Sequence, residues 1–308
     1  MLSNPSEFTI EDVYIDLVVQ SQIIKTGADI RMTVRSPFQL EIASATDAGQ
    51  IRSFNEDSIA ADGDLGLLVL ADGMGGYKAG DVASSLATGL VMDYVKRILN
   101  DTEPSPIESA KLSRESMAIK FAIEKTNLAI YKTARTEDKY TGMGTTIVLI
   151  LFHHGLATIA HVGDSRLYRL RQGRFELLTT DHSLLQDQLE MGLISSDDAK
   201  LSHNRNLVSR ALGVEATVDV DVYEDNVQVN DIYLLCSDGL NDMVDDADIE
   251  LAVSALSTNI SLAATQLIQM ANDNGGHDNV SVLIAKVRNG EAEKRGLMDR
   301  LLNWLKSF

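Results

Sequence analysis

Five aspartates along this chain have sequence contexts typical of ligands for divalent metal ions. They are Asp57, Asp72, Asp164, Asp238 and Asp278. Mg²⁺ and Mn²⁺ are hard cations that bind oxygen ligands, and paired ions of this kind support phosphoryl chemistry. A single Asp-Gly pair is most often a turn. Five aspartates in this order, with Arg52 five residues before the first, instead indicate one shared metal site.

Predicted strands explain how these aspartates come together. Four of them lie at the end of an apolar segment or next to one, and the segments are Leu65–Leu70, Leu156–Val162, Ile232–Cys236 and Val280–Ile284. Short apolar runs bounded by turn residues indicate buried strands. Strand ends can place residues that are distant in sequence side by side. We therefore expect the carboxylates to meet where these strands end.

The rest of the chain predicts further helices and strands around this site. Apolar residues recur at helical spacing over Val82–Ile98 and Ile119–Ile130, and two long helices followed by strands favour helices packed on a sheet. The other predicted strands are Leu40–Thr46, Thr145–Phe152, Arg166–Leu170, Phe175–Leu178 and Val218–Val222. The other predicted helices are Ser183–Met191, Asp246–Leu256 and Ser261–Asn272, with helix starts also at Ser105–Glu108 and Ser195–Asp198.

Two dipeptides predict tight hairpin turns between strands. They are His154-Gly155 and Gln172-Gly173, each between two predicted strands. We expect His153 and His154 to be exposed in the first of these turns.

Composition narrows the function. The 308 residues suffice for one large domain or two small ones, and the longest purely apolar run, Ile147–Phe152, is far too short to span a membrane. A net charge of -18 repels nucleic-acid phosphates and argues against a nucleic-acid partner. The N-terminus lacks a signal-peptide pattern, and the single Cys236 excludes an intramolecular disulfide. A cytoplasmic location is the resulting prediction, with Cys236 as a buried thiol.

The motifs resemble those of a known enzyme family. The aspartate contexts, Gly144-Thr-Thr146 and Asn206–Gly213 are similar to the PPM (PP2C-type) metal-dependent Ser/Thr protein phosphatases in their bacterial form. The resemblance runs from about Leu40 to Val287. It implies an α+β fold, a four-layer α-β-β-α sandwich of two antiparallel sheets flanked by helix pairs. The predicted divisions are an extension of unclear role at 1–39, the phosphatase domain at 40–288 and an amphipathic tail at 289–308.

The resemblance also implies a role for each central ligand. Asp72 would bridge two cations, Mn²⁺ or Mg²⁺, and the Gly73 carbonyl would be a ligand to one of them. Asp57, Asp238 and Asp278 would complete the inner shell, partly through waters. A water shared by the two ions would attack the phosphorus of phosphoserine or phosphothreonine directly, without a phospho-enzyme.

Three further residues have implied roles around this centre. Arg52 would clamp the phosphate, because a guanidinium contacts two phosphate oxygens at once. Asp164 would bind a third ion, together with Asp238 and Asp242, so that the chain holds two ions or three. A helix N-terminal cap is an equally good interpretation of Asp242. Glu56 and Asn279 are predicted to support the site without binding metal.

The proton donor differs from that of animal relatives. A histidine that acts as general acid there corresponds to Met74 here, and methionine cannot donate a proton. The resemblance therefore points to a metal-bound water. His161, His182 and His277 are alternatives, although each is more often structural. The segment Leu184–Asn206 matches the mobile flap beside the family's active site, where loops commonly select substrates.

The tail lies outside the resemblance. Its apolar residues recur at three- and four-residue spacing with four cations, and it contains the only tryptophan, Trp304. Docking on the phosphatase domain, binding a partner groove and lying on an anionic membrane all remain open, with membrane contact the least favoured. Expected partners are Ser/Thr-phosphorylated proteins and a cognate kinase. A catalytically silent phosphoprotein-binding module and a phosphatase of small esters are the competing functions.

Overall fold

Two antiparallel sheets, packed face to face, form the centre of the protein. This computed structural model describes residues 38–75, 79–100, 112–136, 138–195 and 207–290. The strands are β1 (Phe38–Asp47), β2 (Asp57–Asp62), β3 (Leu67–Met74), β4 (Gly144–Thr145), β5 (Ile147–His153), β6 (Leu156–Val162), β7 (Arg166–Arg171), β8 (Arg174–Leu177), β9 (Asp221–Asn226), β10 (Ile232–Cys236) and β11 (Val280–Asn289). The helices are α1 (Ala79–Asn100), α2 (Arg114–Thr136), α3 (Leu184–Glu190), α4 (Asp238–Asn241), α5 (Asp246–Ala255) and α6 (Ile260–Asp273).

The strand order joins distant parts of the chain. One sheet has the order β1-β11-β10-β7-β8, and the other has the order β2-β3-β5-β6-β9, with β4 paired to β3. The first and last strands, β1 and β11, pair along their whole lengths, from Phe38 opposite Asn289 to Asp47 opposite Val280. The connection from β6 to β7 passes from one sheet to the other at Gly163–Ser165.

The apolar run Ile147–Phe152 of β5 follows from the burial of this strand on both faces. Side chains alternate across a strand. Ile147, Leu149 and Leu151 belong to the cluster that includes the residues of α1 and α2. Val148 and Ile150 belong to the cluster between the two sheets. A strand covered on both sides has no place for polar residues, which explains the longest apolar run in the chain.

Helix pairs cover the outer faces of both sheets. Helix α1 packs on β2 and β3, and α2 packs on α1, β6 and β9. On the other sheet, α5 and α6 pack together, and α6 lies on β1 and β11. Three hydrophobic clusters therefore separate four layers. This arrangement confirms the predicted α+β fold and its α-β-β-α order. No helix among the described residues is both long enough and apolar enough to cross a bilayer.

The hairpin turns adopt the predicted conformations, but one histidine does not lie in its turn. His154 and Gly155 have φ values of 45° and 86°, as required by a two-residue turn. The expectation that His153 is exposed is wrong. It is the last residue of β5, is 1% exposed, and its Nε2 lies 2.7 Å from Thr158 Oγ1.

Three short elements differ from the sequence prediction. Strand β2, with the sequence Asp-Ser-Ile-Ala-Ala-Asp, was not predicted, because it lacks the apolar alternation of a strand and owes its conformation to pairing with β3. Strand β9 begins three residues later than predicted, where its pairing with β6 begins. The four-residue helix α4 is too short to produce a periodic pattern.

Several predictions fall on residues outside the described ranges. They concern the extension at 1–37, the capping box at 105–108, the second flap helix after Ser195 and the tail at 291–308. The division of the chain into these three segments stays a prediction.

Candidate active site

The five aspartates come from both sheets and from the connection between them. Asp57 begins β2 and lies directly opposite Asp72 of β3 in the strand register. Asp238 is the first residue of α4, which follows β10, and Asp278 lies two residues before β11. Asp164 lies in the connection from β6 to β7. The pKa of Asp72 is raised first by burial and then by the other four aspartates, which are therefore its electrostatic neighbours.

Burial, followed by repulsion between neighbouring carboxylates, raises the pKa values of four of these aspartates, which are Asp57, Asp72, Asp164 and Asp238. Burial is the main cause that raises the pKa of Asp57 to about 6 and that of Asp164 to about 6. The pKa values of Asp72 and Asp238 lie well above the ordinary value, first from burial and then from neighbouring carboxylates. Asp57 Oδ1 and Asp238 Oδ1 are buried and have no hydrogen-bond partner among the described residues. Buried oxygens without donors, surrounded by like charges, fit divalent cations.

Hydroxyl side chains orient the two facing aspartates. Ser237 Oγ donates to Asp57 Oδ2 at 2.8 Å and accepts from Ser281 N at 2.9 Å. Thr146 Oγ1 accepts from Asp72 N at 3.0 Å, and Thr145 Oγ1 donates to the Asp72 carbonyl at 2.7 Å. Thr145 and Thr146 belong to a motif of the family, but the sequence did not predict their role. Ser237 was not predicted as a functional residue, because its sequence shows nothing except its position beside Asp238.

Gly73 is required by packing as well as by its expected role as a ligand. A Cβ atom at this position would lie 2.2 Å from the Gly80 carbonyl oxygen and 2.5 Å from that of Glu56. Gly73 N also donates to the Glu56 carbonyl at 3.1 Å. Any side chain would push β3 away from the start of α1 and from the loop before β2. The role of the Gly73 carbonyl as a metal ligand stays a prediction.

Arg52 lies at the mouth of the site. Its Nη2 donates to Asp278 Oδ2 at 2.7 Å, and its side chain is 53% exposed. The other oxygen, Asp278 Oδ1, accepts from Asn279 N at 2.8 Å. A solvent-accessible guanidinium tethered to one of the site carboxylates can contact an incoming phosphate.

Asn279 holds the loop that carries Arg52. Its Nδ2 donates to the Ala48 and Phe54 carbonyls at 3.0 and 2.9 Å, and its Oδ1 accepts from Glu56 N at 2.8 Å. It has the supporting place that was expected. Glu56 contributes its backbone to the same loop, through the bonds of Glu56 N and the Glu56 carbonyl.

Asp164, Asp238 and Asp242 line one cavity of about 220 Å³, together with residues of α3. Their common cavity agrees with a shared third ion. The alternative interpretation of Asp242 as a helix N-terminal cap is wrong. Asp242 closes α4, with its N–H bonded to the Asp238 carbonyl, and Asp245 is the N-cap of α5.

The three histidines proposed as alternative proton donors differ in their exposure to solvent. Met74 ends β3 opposite Gly144. His161 and His182 are buried behind the β6–β7 connection, where burial lowers the pKa of each. His277 is exposed beside Asp278. The two buried histidines are therefore structural, and Cys236 is likewise a buried thiol, whose pKa burial raises to about 12.

Comparison with known proteins identifies the family. The family profile of protein phosphatase 2C matches residues 49–270, which include the whole aspartate cluster except Asp278. The chain belongs to the protein phosphatase 2C family. The serine/threonine phosphatase stp of Listeria innocua is 39% identical over 246 residues, which are 78% of this chain and 93% of that protein.

Solved structures of this family have the same fold. The Mycobacterium tuberculosis serine/threonine phosphatase PstP/Ppp has a TM-score of 0.71 at 36% identity, and the match covers 81% of this chain and 99% of that one. The catalytic domain of PstP in complex with two manganese ions has a TM-score of 0.67 at 35% identity, covering 82% and 99%. Because its relatives in sequence and in structure are Ser/Thr phosphatases, this protein phosphatase 2C chain is identified as a Ser/Thr phosphatase.

Proposed function

We propose that this chain hydrolyses phosphoserine and phosphothreonine in proteins, with two divalent ions, Mn²⁺ or Mg²⁺, at the aspartate cluster. The observation that carries the proposal is the meeting of five aspartates from both sheets, with buried oxygens of Asp57 and Asp238 that lack donors. The solved PstP structure with two manganese ions supports the same number of ions here.

The residues of the chain have distinct tasks in this proposal. Asp72 would be a ligand common to both ions, and the Gly73 carbonyl, Asp57, Asp238 and Asp278 would complete their ligand set. When bound, the ions supply Lewis acidity, which lowers the pKa of water and neutralises the phosphate. Arg52 binds the phosphate oxygens at the mouth of the site and orients the phosphorus toward the cluster.

Asp164 and Asp242 extend the site toward α3. We propose that they bind a third ion together with Asp238, because the three carboxylates share one cavity.

Met74 has no proton to donate, and His161 and His182 are buried behind the β6–β7 connection. We therefore propose that a water held at the metal site supplies the proton to the leaving alkoxide, with the exposed His277 as the alternative donor.

The substrates in this proposal are Ser/Thr-phosphorylated proteins, and the enzyme opposes a cognate Ser/Thr kinase. The relative from Listeria innocua is a serine/threonine phosphatase, which supports this class of substrate. A cytoplasmic location, the absence of a nucleic-acid partner and a docking role for the tail stay predictions.

Phosphate release from matched peptides tests the function. Metal-free protein should release phosphate from phosphothreonine and phosphoserine peptides after Mn²⁺ is added, and much more slowly from a phosphotyrosine peptide or from small phosphate esters of metabolites. Asp72→Asn serves as the inactive control. Faster hydrolysis of small esters would favour a small-molecule phosphatase. Binding of the phosphopeptide without turnover at any metal concentration would favour a silent binding module.

A further inference from the structure

A buried histidine cluster lies behind the turn that carries Asp164. His161, His182 and Asp221 each place a potential ligand atom within 4.8 Å of the others. The two imidazole rings are 4.6 Å apart and within 17° of parallel. Lone pairs of nearly parallel rings lie in parallel planes and do not converge on one ion. Arg210 Nη1 also lies 3.1 Å from His182 Nε2, so a cation already occupies this side. The cluster is therefore not a metal site.

His182 is bonded to both peptide groups of Gly163. Gly163 N donates to His182 Nδ1 at 3.0 Å, and His182 N donates to the Gly163 carbonyl at 3.0 Å. Because Nδ1 accepts a hydrogen bond, the neutral ring carries its proton on Nε2, which faces Asp221 Oδ2 at 3.3 Å. Arg210 bonds the other oxygen of Asp221 at 3.0 Å and completes the anchor of the ring.

The turn at Gly163 depends on such anchors. Gly163 has a φ of +111°, and a Cβ there would lie 2.6 Å from Thr146 Cβ, so only glycine fits. Glycine alone does not hold a turn in one conformation. On one side, Ser165 Oγ bonds Thr146 Oγ1 at 2.7 Å. On the other side, the imidazole of His182 provides the anchor, and Asp164 lies between the two.

We propose that His182 is a positioning residue that aims Asp164 into the metal site through the Gly163 N–H to Nδ1 hydrogen bond. This inference rests on the proposed role of Asp164 as a metal ligand. His182 also begins the connection to α3, since Ser183 is the N-cap of that helix and Ser209 N donates to the His182 carbonyl at 2.8 Å. The same residue thus links the third-ion ligand to the flap helix.

Two substitutions at His182 separate the hydrogen bond from the packing of the ring. His182→Asn keeps an acceptor, the amide oxygen, near the position of Nδ1. His182→Gln places its amide near the position of Nε2 and leaves the Gly163 N–H without an acceptor. Both variants lose the stack on His161, and His182→Gln also leaves the buried Gly163 N–H without an acceptor, so its melting temperature should be the lower of the two. Both variants are therefore compared at a temperature well below either melting transition. Asp221→Asn, which keeps an acceptor for Nε2, is the control for the outer side of the ring.

Binding of Mn²⁺ to metal-free protein provides the readout, measured as loss of the electron paramagnetic resonance signal of the free ion. The affinity of the weakest site should fall about tenfold in His182→Gln but less than about threefold in His182→Asn and Asp221→Asn. Turnover should follow the same order, with KM for a phosphopeptide unchanged. Equal Mn²⁺ affinities in His182→Asn and His182→Gln, whether both normal or both weak, would overturn the inference.

Asp164→Ala distinguishes failure of this inference from failure of the proposed function. This variant should lose the weakest Mn²⁺ site. If it binds Mn²⁺ as the wild type does, the ligand assignment of Asp164 is wrong, and with it the premise for His182. If Asp164→Ala is weakened while His182→Gln is not, only the positioning role of His182 is wrong.

Discussion

Single oxygen atoms mark the site most clearly. A buried carboxylate oxygen without a donor destabilises a fold by the full cost of removing it from water. Asp57 Oδ1 and Asp238 Oδ1 are both in this state, in a cluster where neighbouring carboxylates repel each other. Such an arrangement lowers the stability of the fold in the absence of cations. A bound cation would offset both the desolvation of these oxygens and the repulsion between the carboxylates. The aspartates are therefore retained for chemistry and not for folding.

Removal of one ligand should abolish turnover and spare the fold. We expect Asp238→Ala to lose more than about tenfold in kcat, equivalent to about 1.4 kcal/mol of barrier, because it removes a metal ligand. Its melting temperature in chelator should equal or exceed that of the wild type, since repulsion is relieved. Asp248→Ala, an exposed aspartate of α5, is the matched control and should change neither quantity. A smaller loss in kcat would refute the role of Asp238.

Substitution of Arg52 should act mainly on substrate binding. Arg52→Ala removes a guanidinium that contacts phosphate in both the ground state and the transition state, so KM for a phosphopeptide should rise more than kcat falls. Arg52→Lys should recover only part of the loss, because an ammonium cannot contact two oxygens in the plane of a guanidinium. Arg174→Ala, with a side chain that is 81% exposed in a distant hairpin, is the control. An unchanged KM in Arg52→Ala would rule out the clamp.

At the scale of elements, one side chain from the start of β11 shapes the loop between β1 and β2. Asn279 makes three hydrogen bonds to backbone atoms of Ala48, Phe54 and Glu56. This loop carries Arg52 and leads directly into Asp57. The loop that positions Arg52, the proposed phosphate clamp, is thus held by a residue more than two hundred positions away in the sequence.

Removal of the Asn279 amide should loosen this loop. Asn279→Ala loses three part-buried hydrogen bonds to the backbone of this loop, each worth about 1 kcal/mol. We expect a clear drop in melting temperature and a rise in KM, because Arg52 is no longer held. Asn279→Asp keeps the acceptor for Glu56 N but not the two donors, and should be intermediate in KM at saturating Mn²⁺. Wild-type KM in both variants would show that the loop is held by other contacts.

At the scale of the whole molecule, the site depends on the stacking of the two sheets. Asp57 and Asp72 belong to one sheet, while Asp238 and Asp278 adjoin strands of the other. The cluster between the sheets, which includes Leu68, Tyr233 and Leu283, brings these groups together. Packing of apolar side chains therefore holds carboxylates of like charge near each other, and their repulsion lowers the stability of the whole fold.

In chelator, where the protein is free of metal, we expect this repulsion to make the free energy of unfolding depend on pH. Burial raises the pKa of Asp57 to about 6 from an ordinary value of 3.8. Between these values the folded chain binds a proton that the unfolded chain does not, so its free energy of unfolding rises as pH falls. Asp57→Asn removes this titration. The gap in melting temperature between Asp57→Asn and the wild type, largest near neutral pH, should therefore narrow as pH falls toward about 5.

Saturating Mn²⁺ provides the internal control for this prediction. Bound cations keep the carboxylates ionised, so the wild type should then lose stability as the pH falls through the same range. Melting curves in chelator and in Mn²⁺ at several pH values measure both effects. A constant gap between Asp57→Asn and the wild type in chelator would contradict the raised pKa of Asp57.

The sequence by itself determined the chemistry and most of the elements. Aspartates in distinctive local contexts predict a metal site without coordinates, because ligand type is a property of single residues. Long periodic segments such as α1 and the doubly buried β5 are likewise encoded locally. The two-residue turn at His154-Gly155 is predictable for the same reason, since glycine in the second position tolerates positive φ.

Only the tertiary structure decided which groups support the ligands. Ser237, Asn279 and His182 act through hydrogen bonds to residues far away in sequence, and no local pattern encodes such partners. Strand β2 has no apolar alternation and exists because β3 pairs with it. The burial of His153 was not predicted, because it depends on a hydrogen bond between the ring and Thr158 across the hairpin. The sequence specifies residue types, whereas their spatial neighbours arise from the packing of two sheets and two helix pairs.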